Sequence, residues 1–205
     1  MSNMTYEFES NKQKLETYEW DDLWIEHANT RGVPRVLYIG DSISRGTRNI
    51  ATATADKKIL FDGFATSKAV NNPYYTDALS LFAKQQGERA VILFNNGLHG
   101  WHLDDETEYA NEYEKMICYF LSEFNGTPLV LLLTTHVKNE DEDARVLVRN
   151  RVVSELAQKY SISVIDLYTV TKEHSELYIH DGVHLTDKGY QILAETLVKQ
   201  VGAFI

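Results

Sequence analysis

The sequence has one cysteine, no long apolar run and too few basic residues to balance its acidic ones, and each shortage removes a class of protein. Cys118 alone cannot form an internal disulfide, and with no partner nearby in sequence it reads as a small hydrophobe buried in the apolar run 116–121 rather than as a thiol nucleophile. No stretch approaches the ~18 apolar residues that a membrane span requires, and the start lacks a basic segment followed by an apolar one. The expectation is therefore a soluble, cytoplasmic chain with no membrane partner. Lys and Arg number 20 against 30 Asp and Glu, a net charge of −10. That balance opposes nucleic acid as a partner, because phosphate contacts need clustered cations to release counterions. Internal repeats, low-complexity tracts and linkers are also missing. What remains, 205 residues of which 43% are hydrophobic and 24% charged, suits one domain with a substantial core.

The apolar residues are arranged in short blocks. The run Val36-Leu37-Tyr38-Ile39 and the segments 58–65, 90–95, 128–135 and 163–168 are rich in Val, Ile and Leu, as strands buried on both faces are. Between and after them, 75–86, 106–124, 144–160 and 186–204 carry helical periodicity, with Tyr109, Tyr113, Met116, Ile117 and Phe120 stacked on one side of the second. This alternation predicts an α/β fold, a three-layer α/β/α sandwich around a five-stranded, mostly parallel, flavodoxin-like sheet, because parallel neighbours need right-handed, usually helical crossovers.

Residues 1–34 are expected to form a helical extension packed on the domain. Tyr18, Trp20, Leu23, Trp24 and His27 recur there at spacings of three and four, before Arg31-Gly32-Val33-Pro34 breaks the pattern. The acidic run Glu140-Asp141-Glu142-Asp143 reads as a solvated loop that places negative charge at the start of the next helix.

Open parallel sheets bind ligands at the carboxyl ends of their strands. Ser42, Thr66-Ser67, Asn95-Asn96 and Thr134-Thr135-His136 all lie just past predicted strand ends, so distant stretches converge on one edge. Gly40 permits a tight turn with Ser42 at its apex, where a hydroxyl nucleophile could stand. An ordinary strand-to-helix turn with a serine cap fits Gly-Asp-Ser equally well. A phosphate loop is disfavoured by Asp41 and by the lack of a following Gly-Lys-Ser/Thr. In Asp181-Gly182-Val183-His184 a single turn could set the carboxylate against one imidazole nitrogen and leave the other to take a proton. Taken alone, that stretch is also compatible with a histidine that caps or packs. Metal ligation by Asp181, His184 and His136 lacks a recognisable ligand spacing. His27 and His174 read as surface or packing residues.

Together, Gly40-Asp41-Ser42-Ile43 behind the first strand and Asp181-Gly182-Val183-His184 ahead of the last helix resemble the first and last blocks of the SGNH/GDSL hydrolase family, over roughly residues 35–200. The resemblance implies an esterase-type triad: Ser42 as nucleophile, His184 as general base and then acid, Asp181 as its orienter, with no cofactor and no metal. The middle blocks depart from the pattern. Where the family has Gly-x-Asn-Asp, this chain reads Asn95-Asn96-Gly97-Leu98-His99-Gly100, which puts His99 at the position of the oxyanion asparagine. Asn95 or Asn96 could supply an amide instead, and a neutral His99 could donate from its ring. The loop after the second strand, residues 66–72, has no glycine, so a backbone N–H near Ser67 is the expected donor there. Trp101, beside these residues, reads either as a platform for a sugar or acyl group or as a packed lid residue; His102, next to it, is expected to be exposed.

The resulting expectation is a serine esterase acting on a short acyl ester of a carbohydrate or another small polar alcohol. A lipase or lysophospholipase-type acylhydrolase, a non-catalytic glycan-binding module on the same fold and a metal-dependent hydrolase are the alternatives.

Overall fold

In the computed structural model, which describes residues 15–172 and 174–205, a six-stranded sheet lies between two layers of helices. The strands are β1 (Asp21–Trp24), β2 (Arg35–Gly40), β3 (Leu60–Thr66), β4 (Val91–Phe94), β5 (Leu129–Leu133) and β6 (Ser163–Asp166). The helices are α1 (Ser42–Thr54), α2 (Tyr75–Gln86), α3 (Glu106–Glu123), α4 (Glu140–Tyr160), α5 (Leu167–Lys172) and α6 (Asp187–Val201). Strand order is β1-β3-β2-β4-β5-β6, all parallel except β1, which pairs antiparallel with β3. The five parallel strands and the helices between them match the sequence reading.

Alternation along the buried strands divides the core in two. Val36 and Tyr38 of β2 join Leu93, Val130, Leu132 and Ile165 against α1, α5 and α6. Leu37 and Ile39 join Phe64, Ile92, Phe94 and Leu131 against the aromatic faces of α2 and α3 and the valines of α4. Both faces of the central strands are covered, so their hydrophobicity is continuous rather than alternating. The chain leaves β2 toward β3 and then crosses back to β4, which makes the carboxyl ends of β2 and β4 the switch point of the sheet.

Three expectations are corrected. The stretch around Leu23 and Trp24 is an edge strand, not a helix, and residues 1–14 of the expected extension lie outside the described residues. The spacing misleads because its aromatic residues do not face a core: Tyr18 is 82% exposed and Trp24 46%. What fixes the segment is polar. The outer edge of the fully buried β3 has backbone groups that need partners. Asp21 meets Lys68 and Thr66, and Asp22 pairs with Arg45 and Arg48. The second correction is that Glu140 to Asp143 form the first turn of α4 rather than a loop, capped by Asn139 accepting from the N–H groups of Asp141 and Glu142. Four carboxylates at the positive end of a helix dipole favour that extra turn. Cys118 is the third: it is exposed on α3, its Sγ 3.5 Å from Tyr160 Oη, because it falls one position beyond the buried stripe of Tyr113, Met116, Ile117 and Phe120. No described helix is long and apolar enough to cross a membrane.

Candidate active site

The turn after β2 is built for close approach. A Cβ on Gly40 would stand 2.8 Å from Ser44 Cβ and 2.9 Å from Ser44 Oγ, so only glycine fits. Asp41, not Ser42, caps α1, its Oδ1 accepting the Ile43 N–H at 2.9 Å. That removes the serine-cap reading: Ser42 is the first helical residue, and its hydroxyl is directed elsewhere. Burial pushes the Asp41 carboxyl above its ordinary range, and the charge of His99 and the Ile43 N–H pull it back.

The hydroxyl meets the loop before α6. Ser42 Oγ lies 2.8 Å from His184 Nε2, and His184 Nδ1 lies 2.8 Å from Asp181 Oδ2. Asp181 Oδ1 accepts the N–H groups of Val183 and His184, both at 2.9 Å, which closes the turn that the spacing of three residues requires. Gly182 sits at φ +72°, where a side chain is strained, and its carbonyl accepts the Lys138 N–H at 2.9 Å. The Ile179 N–H donates to the His184 carbonyl at 2.9 Å, and Thr186 caps α6, so both ends of the loop are anchored. Burial lowers the His184 pKa below its ordinary 6.5, which keeps the imidazole neutral near pH 7. A hydroxyl, a neutral imidazole and a carboxylate thus stand in series, the order in which a proton can leave the hydroxyl while the carboxylate stabilises the imidazolium.

The residues expected on the oxyanion side fare differently. The Ser67 N–H donates to the Trp20 carbonyl at 3.1 Å and its Oγ accepts the Trp20 N–H at 2.9 Å, so the pairing of β1 with β3 has already engaged it. Asn95 Nδ2 donates to the Leu132 carbonyl at 2.8 Å and to Thr134 Oγ1 at 3.0 Å, and Asn96 Nδ2 donates to the Lys68 carbonyl at 2.7 Å. Both amides tie neighbouring strand ends together instead of facing a reacting atom. Trp101 is 2% exposed, with its Nε1–H on the Leu98 carbonyl and the guanidinium groups of Arg145 and Arg149 against its ring, which removes it as a sugar platform. His102 is half-buried against Asn71. His136 pairs with Tyr178 and Asp143 and lies between the rings of Tyr168 and Tyr178, so the metal grouping with Asp181 and His184 does not form. Among the described residues no cluster of three or more His, Cys, Asp or Glu side chains could hold a metal ion.

His99, on the loop that follows β4, is engaged by the segment ahead of β1. It is buried, with Nδ1 at 2.9 and 3.0 Å from the two carboxylate oxygens of Glu16. The loop that carries it is held by Arg149 of α4, a buried guanidinium donating to the carbonyls of Gly97, His99, Gly100 and Leu103 at 2.7 to 3.2 Å. Burial draws the Arg149 pKa down to about 10, which leaves it charged at neutral pH. Sequence reasoning missed both Glu16 and Arg149. Glu16 sits in a polar segment with no local motif, and Arg149 lies within an ordinary helical pattern, so neither gives a signal before the chain is folded.

No protein-family model and no curated protein sequence matches the chain. Solved structures do. A lipase/acylhydrolase from Enterococcus faecalis aligns at 17% identity with a TM-score of 0.62, covering 83% of this chain and 96% of its own. An acetyl xylan esterase aligns at 17% identity and 0.63, covering 82% and 99%. The C-terminal catalytic domain of peptidoglycan O-acetyltransferase A from Streptococcus pneumoniae aligns at 18% and 0.64, covering 83% and 94%. At such identities the likeness is one of fold: the chain has the fold of the SGNH/GDSL hydrolases.

Proposed function

We propose that the protein is a serine esterase in which Ser42, His184 and Asp181 act as nucleophile, base and orienter. The observation that carries this reading is the unbroken series Ser42 Oγ, His184 Nε2, His184 Nδ1 and Asp181 Oδ2, each contact 2.8 Å long. In the reaction, Ser42 Oγ attacks the ester carbonyl carbon while His184 Nε2 takes its proton. The tetrahedral intermediate expels the alcohol, which leaves with that proton. Water, deprotonated by His184, then attacks the acyl-Ser42 ester, releasing the acid and restoring the hydroxyl. Asp181 keeps the Nδ1 hydrogen in place and stabilises the imidazolium at each stage. On this reading the oxyanion forms at the N-terminus of α1, where the helix dipole favours negative charge, and His99 is favoured as a donor because it takes, in the order of the sequence, the place of the resembled family's asparagine.

A short acyl group, such as acetyl on a carbohydrate or another small polar alcohol, is the substrate class we favour. Support comes from the fold neighbours, which include an acetyl xylan esterase and a peptidoglycan O-acetyltransferase. The test is hydrolysis of p-nitrophenyl acetate, with an acyl-enzyme burst expected in the wild type and abolished in Ser42→Ala and His184→Ala. Equal slow rates in all three proteins would leave a non-catalytic module on the same fold.

A further inference from the structure

The segment ahead of β1 reaches across the sheet edge to the loop that follows β4. Glu16 accepts the Gly100 N–H at 3.2 Å and sets both carboxylate oxygens against His99 Nδ1. Trp20 stands edge-on to the imidazole, ring centroids 6.1 Å apart. Glu19 accepts from Asn72 Nδ2 at 3.1 Å and Asp21 from Lys68 Nζ at 2.7 Å, so the segment is fastened again between the contact and β1. A carboxylate only accepts, so the shared hydrogen belongs to Nδ1, and the ring orientation and tautomer are set from residues far away in sequence. Buried ion pairs are poor contributors to net stability, because desolvation offsets their attraction. A latch for the segment alone does not call for a charged pair.

The surroundings also shift the ring's titration. Burial favours the neutral form, but the hydrogen bond and charge of Glu16 and the charge of Asp41 outweigh it, while Arg149 opposes them; the net pKa is raised above 6.5. An imidazolium carries hydrogens on both nitrogens.

We propose that Glu16 is a positioning residue for the esterase reaction, fixing His99 through Nδ1 so that its Nε2–H donates to the oxyanion formed on Ser42. The proposal rests on the esterase reading. It gives His99 a charge-assisted bond where an asparagine would offer a neutral one, and it makes the segment around Glu16 part of the catalytic apparatus.

Glu16→Gln tests it, because the amide still accepts a hydrogen bond but carries no charge; a purely structural latch would survive. With p-nitrophenyl acetate, kcat should fall on the order of 10- to 100-fold with KM nearly unchanged. The alkaline limb of the pH profile should move to lower pH, and the His99 imidazole should titrate lower by NMR. Unchanged kcat and alkaline limb, or an unmoved His99 titration, would overturn the proposal. Should Glu16→Gln disturb the fold, His99→Asn takes its place: the amide does not titrate, so the alkaline limb should vanish, and its persistence would overturn the proposal equally. Wild-type hydrolysis no faster than that of Ser42→Ala would sink the esterase reading and this proposal with it. A fully active wild type with an indifferent Glu16→Gln would sink the proposal alone.

Discussion

Two histidines at the carboxyl edge of the sheet sit in opposite surroundings. His184, on the loop before α6, is pushed by burial toward its neutral form, and the carboxylate of Asp181 orients it without restoring the charge. His99, on the loop after β4, is more deeply buried, yet Glu16 and Asp41 keep it protonated to higher pH. Burial alone therefore predicts neither; the number and placement of carboxylates decide. One imidazole is biased toward accepting a proton and the other toward keeping one.

The comparison can be broken first at the base. Ser42→Ala and His184→Ala should each lower kcat by about 10⁴-fold or more, with the residue of activity left to oxyanion stabilisation and binding. Asp181→Asn should cost about 10²- to 10⁴-fold by presenting the wrong hydrogen-bond partner to Nδ1, read as kcat at saturating substrate. The loop that carries His99 offers the next test. Arg149→Met should leave the carbonyls of Gly97, His99, Gly100 and Leu103 buried without a donor. The expected loss is at least about 3 kcal/mol in urea unfolding, and a loss under about 1 kcal/mol would show that the loop holds itself.

The pH profile sharpens the contrast. His184 must be neutral to act, so activity should rise with pH through a midpoint below 6.5. His99 should be protonated, so activity should fall through a midpoint above 6.5. For His99 the linkage sign is the same: a raised folded pKa contributes stability that is fully present below the unfolded value near 6.5 and is lost as pH rises through the folded value. The smallest effect is expected at Trp101, whose ring is enclosed by Arg145 and Arg149. Trp101→Phe should cost about 1–2 kcal/mol of stability and leave KM within about twofold, where a substrate-stacking tryptophan would raise it much more.

The fold was largely legible because the pattern that encodes it is local. The five parallel strands fall in short stretches rich in apolar residues, and α2 begins and ends at the residues its periodicity marks, Tyr75 and Gln86. The edge strand β1 was not legible. Its aromatic residues mimic a helical stripe, while its true partners, the backbone of β3 and the side chains of Lys68, Arg45 and Arg48, are remote. At the site, the meeting of Ser42, Asp181 and His184 could be anticipated because two blocks at opposite ends of the domain together resemble one family's pattern, although each alone fits a plain turn. The oxyanion side could not. Asn95, Asn96 and Ser67 sit where donors belong at the strand ends, but their hydrogen bonds go to Leu132, Thr134, Lys68 and Trp20, choices made only when the strands assemble. Glu16 was invisible for the same reason, since its partner lies 83 residues away.

The central claim is that the Ser42 hydroxyl is an activated nucleophile. Treatment with a serine-directed phosphonate followed by peptide mass mapping tests it most directly. The account predicts one adduct per chain, on Ser42, forming far more slowly in His184→Ala. Ester hydrolysis that persists with Ser42 unlabelled, or an adduct on another residue, would contradict it.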